Sequence, residues 1–259
     1  KIVNTSSSGD DPDEAYPNCN GAAKFFVGPS NFESGIVVPV AGSGVVNIAA
    51  PENRSIVNSS HVIVKGAMDT IVPMRSVKVL VSDSTGTSSY LAQVNKTYFA
   101  AKVPVTSDAT ITVIAKDQIG VQHQDSVMIY VNTPQEPITL QANPDIGITE
   151  LDSNGNAVLD VNLGTTVSVS EAISDYSWDF SGTSYNDLTC WSHSNIMVRY
   201  QKPGLYVTQV EVRTSSNHRY RDLVIVNVLD IKEIDDIVKP MWTGMKTSLL
   251  AGNMAGALD

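Results

Sequence analysis

From about residue 36 the chain alternates apolar and polar residues in short runs divided by turn formers. Residues 45–49 make one such run. In 61–65, Val62 and Val64 share a face, and in 77–81 Val77, Val79 and Val81 repeat the pattern. Residues 97–105, 110–114 and 126–131 continue it. Ser82-Asp83-Ser84-Thr85-Gly86 and Asp117-Gln118-Ile119-Gly120 punctuate the runs. Successive side chains on a strand point to opposite faces, so a two-residue rhythm predicts antiparallel strands with one face buried and one wet. About seven strands with turns roughly every ten residues predict a β-sandwich. A second set follows at 137–142, 157–161, 165–169, 174–180, 196–200, 205–213 and 219–228. Between the sets, Thr133-Pro134-Gln135-Glu136-Pro137 reads as a stiff, extended linker that would hold two sandwiches roughly in line.

The two ends differ from this middle. Residues 1–35 read as irregular: 4–13 are rich in Ser, Gly and Asp, and Pro12, Pro17 and Pro29 break regular elements. Within them, residues 24–27 are a short apolar run suited to an edge strand or a tucked plug. At the other end, Ile231, Ile234, Val238, Met241, Met245 and Leu249 fall at helical spacing. Pro240 interrupts that stripe and would suit the first turn of a second helix. Gly252 followed by Asn253 reads as a helix stop and a new N-cap, which predicts that the natural chain runs on past Asp259. The expected division is an N-terminal segment 1–35, sandwiches at 36–133 and 134–230, and a helical segment 231–259.

The first sandwich resembles bacterial immunoglobulin-like (Ig-like) modules. The resemblance is carried by Ala50-Pro51-Glu52-Asn53, Val62-Ile63-Val64-Lys65-Gly66, Ser76-Val77-Lys78-Val79, residues 99–105 (FAAKVPV) and residues 111–117 (ITVIAKD), in that order. The second is similar to polycystic-kidney-disease (PKD) domains, another Ig-like family. Tyr176-Ser177-Trp178-Asp179-Phe180 matches that family's aromatic strand, and residues 200–207 (YQKPGLYV) with Val210-Glu211-Val212 match its later turn and strand. Ser181-Gly182-Thr183-Ser184 stands where the family has an acidic G-D-G turn, so a role for that turn does not carry over. The resemblance implies an all-β chain of two tandem Ig-like β-sandwiches with structural residues at Trp178 as core centre, Gly204 in a tight turn after Pro203, and Tyr206 with its ring inside and its hydroxyl sent to backbone near the rim.

Composition narrows the function classes. Hydrophobic residues make up 42% and charged residues 17%, which suits neither a disordered chain nor a coiled coil. The formal net charge of −10, with no run of Lys or Arg, argues against nucleic acid and anionic lipid as partners. No stretch of about 20 apolar residues is present to span a membrane. Lys1 at the start is compatible with a trimmed chain or with a mature protein after signal cleavage. Cys19 and Cys190, neither in a Cys-x-x-Cys pair, are either a bridge pinning the N-terminal segment to the second sandwich or two unrelated thiols.

Candidate chemistry is sparse. His61, His123, His193 and His218 have no metal-ligand spacing, and neither a Gly-x-Ser-x-Gly elbow nor a phosphate loop occurs. No catalytic, cofactor-binding or metal residue is therefore assigned. Asp152-Ser153-Asn154-Gly155-Asn156 alternates oxygen side chains as a calcium loop does, with Asp152, Asn154 and Asn156 as ligands; the other reading is a polar Asn-Gly turn. Asp10, Asp11, Asp13 and Glu14 read as a solvated tail. Asn4, Asn53, Asn58 and Asn95 begin N-glycosylation sequons. The expectation is a secreted or cell-surface, non-enzymatic structural or interaction module: a spacer, an adhesion unit or a subunit of a surface layer or filament, meeting other protein subunits or its own copies through exposed strand edges. The alternative is an accessory carbohydrate-binding region of a polysaccharide-active enzyme. That reading would need exposed aromatic side chains, with Trp191, Trp242, Tyr185 and Tyr220 as candidates.

Overall fold

The computed structural model describes residues 24–27, 36–39, 45–69, 74–117, 121–132, 137–181, 188–190 and 194–254. It is built almost wholly of strands. The first, β1 (Lys24–Val27), precedes nine that form the first sandwich: β2 (Val46–Ala50), β3 (Ser55–Val57), β4 (His61–Met68), β5 (Met74–Asp83), β6 (Gly86–Leu91), β7 (Gln93–Asn95), β8 (Tyr98–Pro104), β9 (Ala109–Asp117) and β10 (Gln122–Val131). They make two sheets ordered β2-β4-β8-β7 and β3-β10-β9-β5-β6. Every neighbouring pair is antiparallel except β3, which runs parallel to β10. This is the Ig arrangement, with a first sheet A-B-E-D and a second built on G-F-C. The alternating valines do what the rhythm predicts. Val62, Val64, Val77, Val79, Val81, Val103, Ile111 and Val113 point inward around a fully buried Phe99.

The second sandwich follows with β11 (Ile138–Asn143), β12 (Ile146–Thr149), β13 (Leu159–Val167), β14 (Ile173–Asp179), β15 (Leu188–Cys190), β16 (Asn195–Tyr200), β17 (Gly204–Thr214) and β18 (Arg219–Asp230). One sheet is ordered β12-β18-β17-β14-β15 and the other β1-β16-β13-β11. Trp178 on β14 is wholly buried, as are Phe180, Tyr200 and Tyr206. The Trp178 and Phe180 rings stack with centroids 6.1 Å apart, and Tyr200 and Tyr206 meet at 4.5 Å. The Tyr206 hydroxyl donates to the carbonyl of Lys202 at 2.7 Å, a tyrosine corner at the start of strand F. Gly204, at φ +154°, takes a backbone angle that favours glycine. A Trp on strand C and a Tyr corner on strand F are hallmarks of Ig sandwiches, here with no bridge across the core positions of strands B and F.

The apolar run at 24–27 forms an edge strand: β1 pairs in parallel with β16 and places Val27, 1% exposed, in the second core. From β1 onward the described chain thus passes from the second sandwich to the first and back. The C-terminal stripe forms one helix, α1 (Ile231–Leu250), rather than two broken at Pro240. Asp230 caps it by accepting from the Lys232 N–H at 3.1 Å. A mid-helix proline forfeits one ladder bond. Around it, Lys239 pairs with Asp235 at 2.6 Å, and the Thr243 hydroxyl donates to the Lys239 carbonyl at 2.8 Å. Gly252, at φ +73°, ends the helix, with its N–H on the Leu249 carbonyl.

Candidate functional site: the seam between the sandwiches

The two sandwiches do not hang in line from a linker; they meet through sheet faces. On β8, Phe99, Ala101 and Val103 face the first core, so Tyr98, Ala100 and Lys102 face out. On β17 and β18, Leu205, Val207, Ile225 and Asn227 face out in the same way. These outward residues form their own apolar cluster. Ala100, Leu205 and Ile225 are 0%, 2% and 4% exposed, with Ile36, Ile63, Tyr98 and Val207 packed around them.

Polar groups close both ends of that cluster. At one end, Asn95 Nδ2 donates to Asn227 Oδ1 at 2.9 Å and to the Val228 carbonyl at 3.0 Å. Asn227 Nδ2 returns a bond to the Val94 carbonyl at 3.1 Å. At the other, Lys102 Nζ donates to Asp222 Oδ1 at 2.6 Å. The other oxygen of Asp222, whose side chain is only 3% exposed, accepts the Leu140 N–H at 2.7 Å. A buried polar group without a partner costs free energy, so reciprocal pairing of this kind fixes one relative placement of the two faces.

The calcium reading of the 152–156 loop meets a different geometry. Asp152 Oδ1 accepts the N–H groups of Asn154 and Asn156, both at 2.8 Å, and Oδ2 accepts Asn156 Nδ2 at 3.0 Å. The Asn156 backbone and side-chain donors, with the Asn154 N–H and the Lys202 charge, hold this carboxyl below the usual carboxylate range. Lys202 Nζ also donates to the Gly155 carbonyl at 2.8 Å, which brings an ammonium onto the loop. The loop is a closed polar turn. Among the described residues no group of three or more His, Cys, Asp or Glu side chains is placed to hold a metal.

The remaining predicted residues are scattered. Cys190 ends β15 at a sheet edge, while Cys19, Asn4, the 10–14 acidic cluster, Tyr185, Trp191 and His193 lie outside the described residues. Of the sequons, Asn95 is 5% exposed inside the seam, Asn53 accepts the Met128 N–H and Asn58 pairs with Asn132. Trp242 is 63% exposed on α1, and Tyr220 packs against the second core. On the outer face of the first sandwich Ile56, Met128 and Tyr130 stand exposed beside hydroxyl pairs Ser82–Thr87 and Thr112–Ser126, each 2.9 Å apart. Sequence reasoning missed the seam residues Asn95, Lys102, Asp222 and Asn227. The one signal for them was polar or small residues set among apolar ones on strands whose other face was already accounted for.

Strand order, the Trp of strand C and the Tyr corner define the chain as all-β, with two Ig-like sandwiches. No family model and no curated protein matches it. Solved structures that overlap it include an engineered protein at 21% identity, covering 34% of this chain and 20% of that one, with a TM-score of 0.30. The fibronectin(III)-like modules of Clostridium thermocellum CbhA share 13% identity over 73% of this chain and 96% of theirs, at a TM-score of 0.28. A 1.5-MDa bacterial ice-binding adhesin shares 15% identity over 73% of this chain and 66% of its own, at 0.24. The fold therefore rests on the topology just described. No helix among the described residues is long and apolar enough to cross a membrane.

Proposed function

We propose that the chain is a non-enzymatic, extracellular structural unit: two Ig-like sandwiches locked face to face, serving as a rigid spacer and interaction module within a surface assembly. The observation that carries this is the seam. An apolar centre flanked by a buried Asn95–Asn227 pair and a part-buried Lys102–Asp222 pair is more than a flexible tether needs, and its effect is rigidity. The outer face bearing Ile56, Met128 and Tyr130 stays free for a protein partner. The PKD-like reading of the second sandwich belongs to the same proposal, supported by Trp178 at the core centre and by the Lys202–Tyr206 corner. An acidic, charge-poor, hydroxyl-rich surface supports placement outside the cell. The carbohydrate-binding alternative has little to stand on among the described residues: of its candidates, Trp242 sits on the helix and Tyr220 is spent on the core.

Small-angle scattering on the purified chain tests the rigid unit. The expected profile is that of one side-by-side pair, unchanged by ionic strength, with no hydrolysis of peptide, ester or glycoside substrates. A profile that needs an ensemble of inter-sandwich angles, or any turnover, overturns the proposal.

A further inference from the structure

Among the described residues, the second sandwich has no strand of its own at one edge. Its sheet of β11, β13 and β16 ends at β16, where an Ig sandwich carries strand D, antiparallel to strand E and joined to it by a short connection. That edge is occupied by β1 from the far end of the chain. The register runs from Lys24 opposite Met197 to Val27 opposite Tyr200, in parallel, and the Gln201 N–H closes the ladder on the Val27 carbonyl at 3.0 Å. Val27 enters the Trp178-centred core. Parallel strands cannot be joined by a tight turn, so the occupant of this slot has to come from a distance.

Nothing in that ladder, or in the burial of Val27, depends on β1 and β16 belonging to one molecule. We infer that β1 is an exchangeable strand, and that the slot along β16 takes the β1 of a second copy of this chain. Three observations support this. The slot already accepts a segment remote in sequence. The occupant is short, four residues, so few contacts must break before it leaves. Ile36 packs in the seam cluster, and the nine residues from it back to Val27 span at most roughly 30 Å, a length that lets β1 reach an adjacent copy. A chain's own β1 competes at an effective concentration of millimolar order, so exchange belongs to crowded or co-refolding chains, and dilute chains remain closed on themselves. The inference goes beyond the spacer reading and would survive its failure, because it concerns only the β16 edge.

The test uses the full chain. Heavy- and light-isotope preparations are unfolded together in the presence of a thiol reductant, refolded reduced at micromolar and at millimolar concentration, and treated with an amine cross-linker. Lys24 and Lys202 flank the β1–β16 ladder. Mixed heavy–light Lys24–Lys202 peptides are expected to approach half of all such pairs at millimolar concentration and to be nearly absent at micromolar. Only unmixed pairs at both concentrations overturn the inference. A second experiment mixes V27E, with a damaged strand and an intact slot, and V198E, with an intact strand and a damaged slot. A one-to-one dimer formed by the mixture and by neither variant alone supports exchange. Dimers formed equally by each variant alone place the contact elsewhere and refute it. If neither variant folds, the isotope experiment decides.

Discussion

Replacing Asp222 by alanine removes the group on which one end of the seam converges. Its carboxylate accepts Lys102 Nζ at 2.6 Å, the Leu140 N–H at 2.7 Å and the Leu223 N–H at 2.7 Å. Without it the Leu140 N–H is left buried and unpaired, at about 1–3 kcal/mol. The Lys102 ammonium loses its counter-charge as well. Breaking a fully buried pair costs about 3–5 kcal/mol, but the Lys102 side chain is 21% exposed and recovers some water, which points to the lower end. The expected loss is about 3 kcal/mol, more than a hundredfold in the folding equilibrium. K102M keeps the aliphatic stem and removes the charge, with an expected cost of about 1–2 kcal/mol. The double variant should cost less than the sum of the two by about 1 kcal/mol, because the two groups share one interaction. Urea unfolding followed by far-UV circular dichroism, which reads the strands of both sandwiches, gives all three values; Trp fluorescence reports the second sandwich alone, because Trp178, Trp191 and Trp242 all lie after residue 133. The wild-type chain should unfold in one transition, and D222A in two as the sandwiches uncouple. A D222A loss below about 0.5 kcal/mol, or strict additivity with K102M, refutes the claim that this pair holds the seam.

Three further outcomes are expected. Y206F keeps the ring against Tyr200 but loses the bond to the Lys202 carbonyl, and calorimetry should show a loss of about 1–2 kcal/mol with no change in fold. The Asp152 carboxyl, held below its ordinary value, adds stability that is fully present above the unfolded Asp pKa of about 3.9 and is lost as pH falls through the lower folded value; carboxyl NMR should show the 152–156 turn intact at pH 4 and loosening only in stronger acid. Cys19 lies at most about 18 Å of chain from Lys24 of β1, within reach of Cys190, and under oxidising conditions a chain closed on itself is expected to carry that bridge, which would lock β1 in place until reduced; a non-reducing peptide map of the dilute chain should contain the linked pair, and two free thiols would count against it.

Central strands were legible because their two faces meet different surroundings. Val77, Val79 and Val81 alternate with polar neighbours, and β5 lies where they predict. Edge strands were not. In β6 most side chains are exposed, so Gly86–Leu91 carries no rhythm, and β3, β12 and β15 are too short to show one. The core center at Trp178 followed from an aromatic strand motif. The seam could not be foreseen, because an outward residue such as Ala100 or Leu205 looks like a surface residue until another sheet covers it. Pro240 misled for a related reason: one lost ladder bond is tolerable inside a twenty-residue helix whose other turns are intact.

Since β1 belongs to the second sandwich while 46–131 builds the first, the first sandwich is an insertion within the second. The pair therefore cannot be moved as two separable cassettes. A protease that cuts in the 133–136 connection would leave the two fragments associated, because the seam cluster and its polar pairs still join them and β1 lies on the β16 edge. Expression of 137–254 alone would yield a sandwich with an open β16 edge, prone to pair with whatever strand it meets.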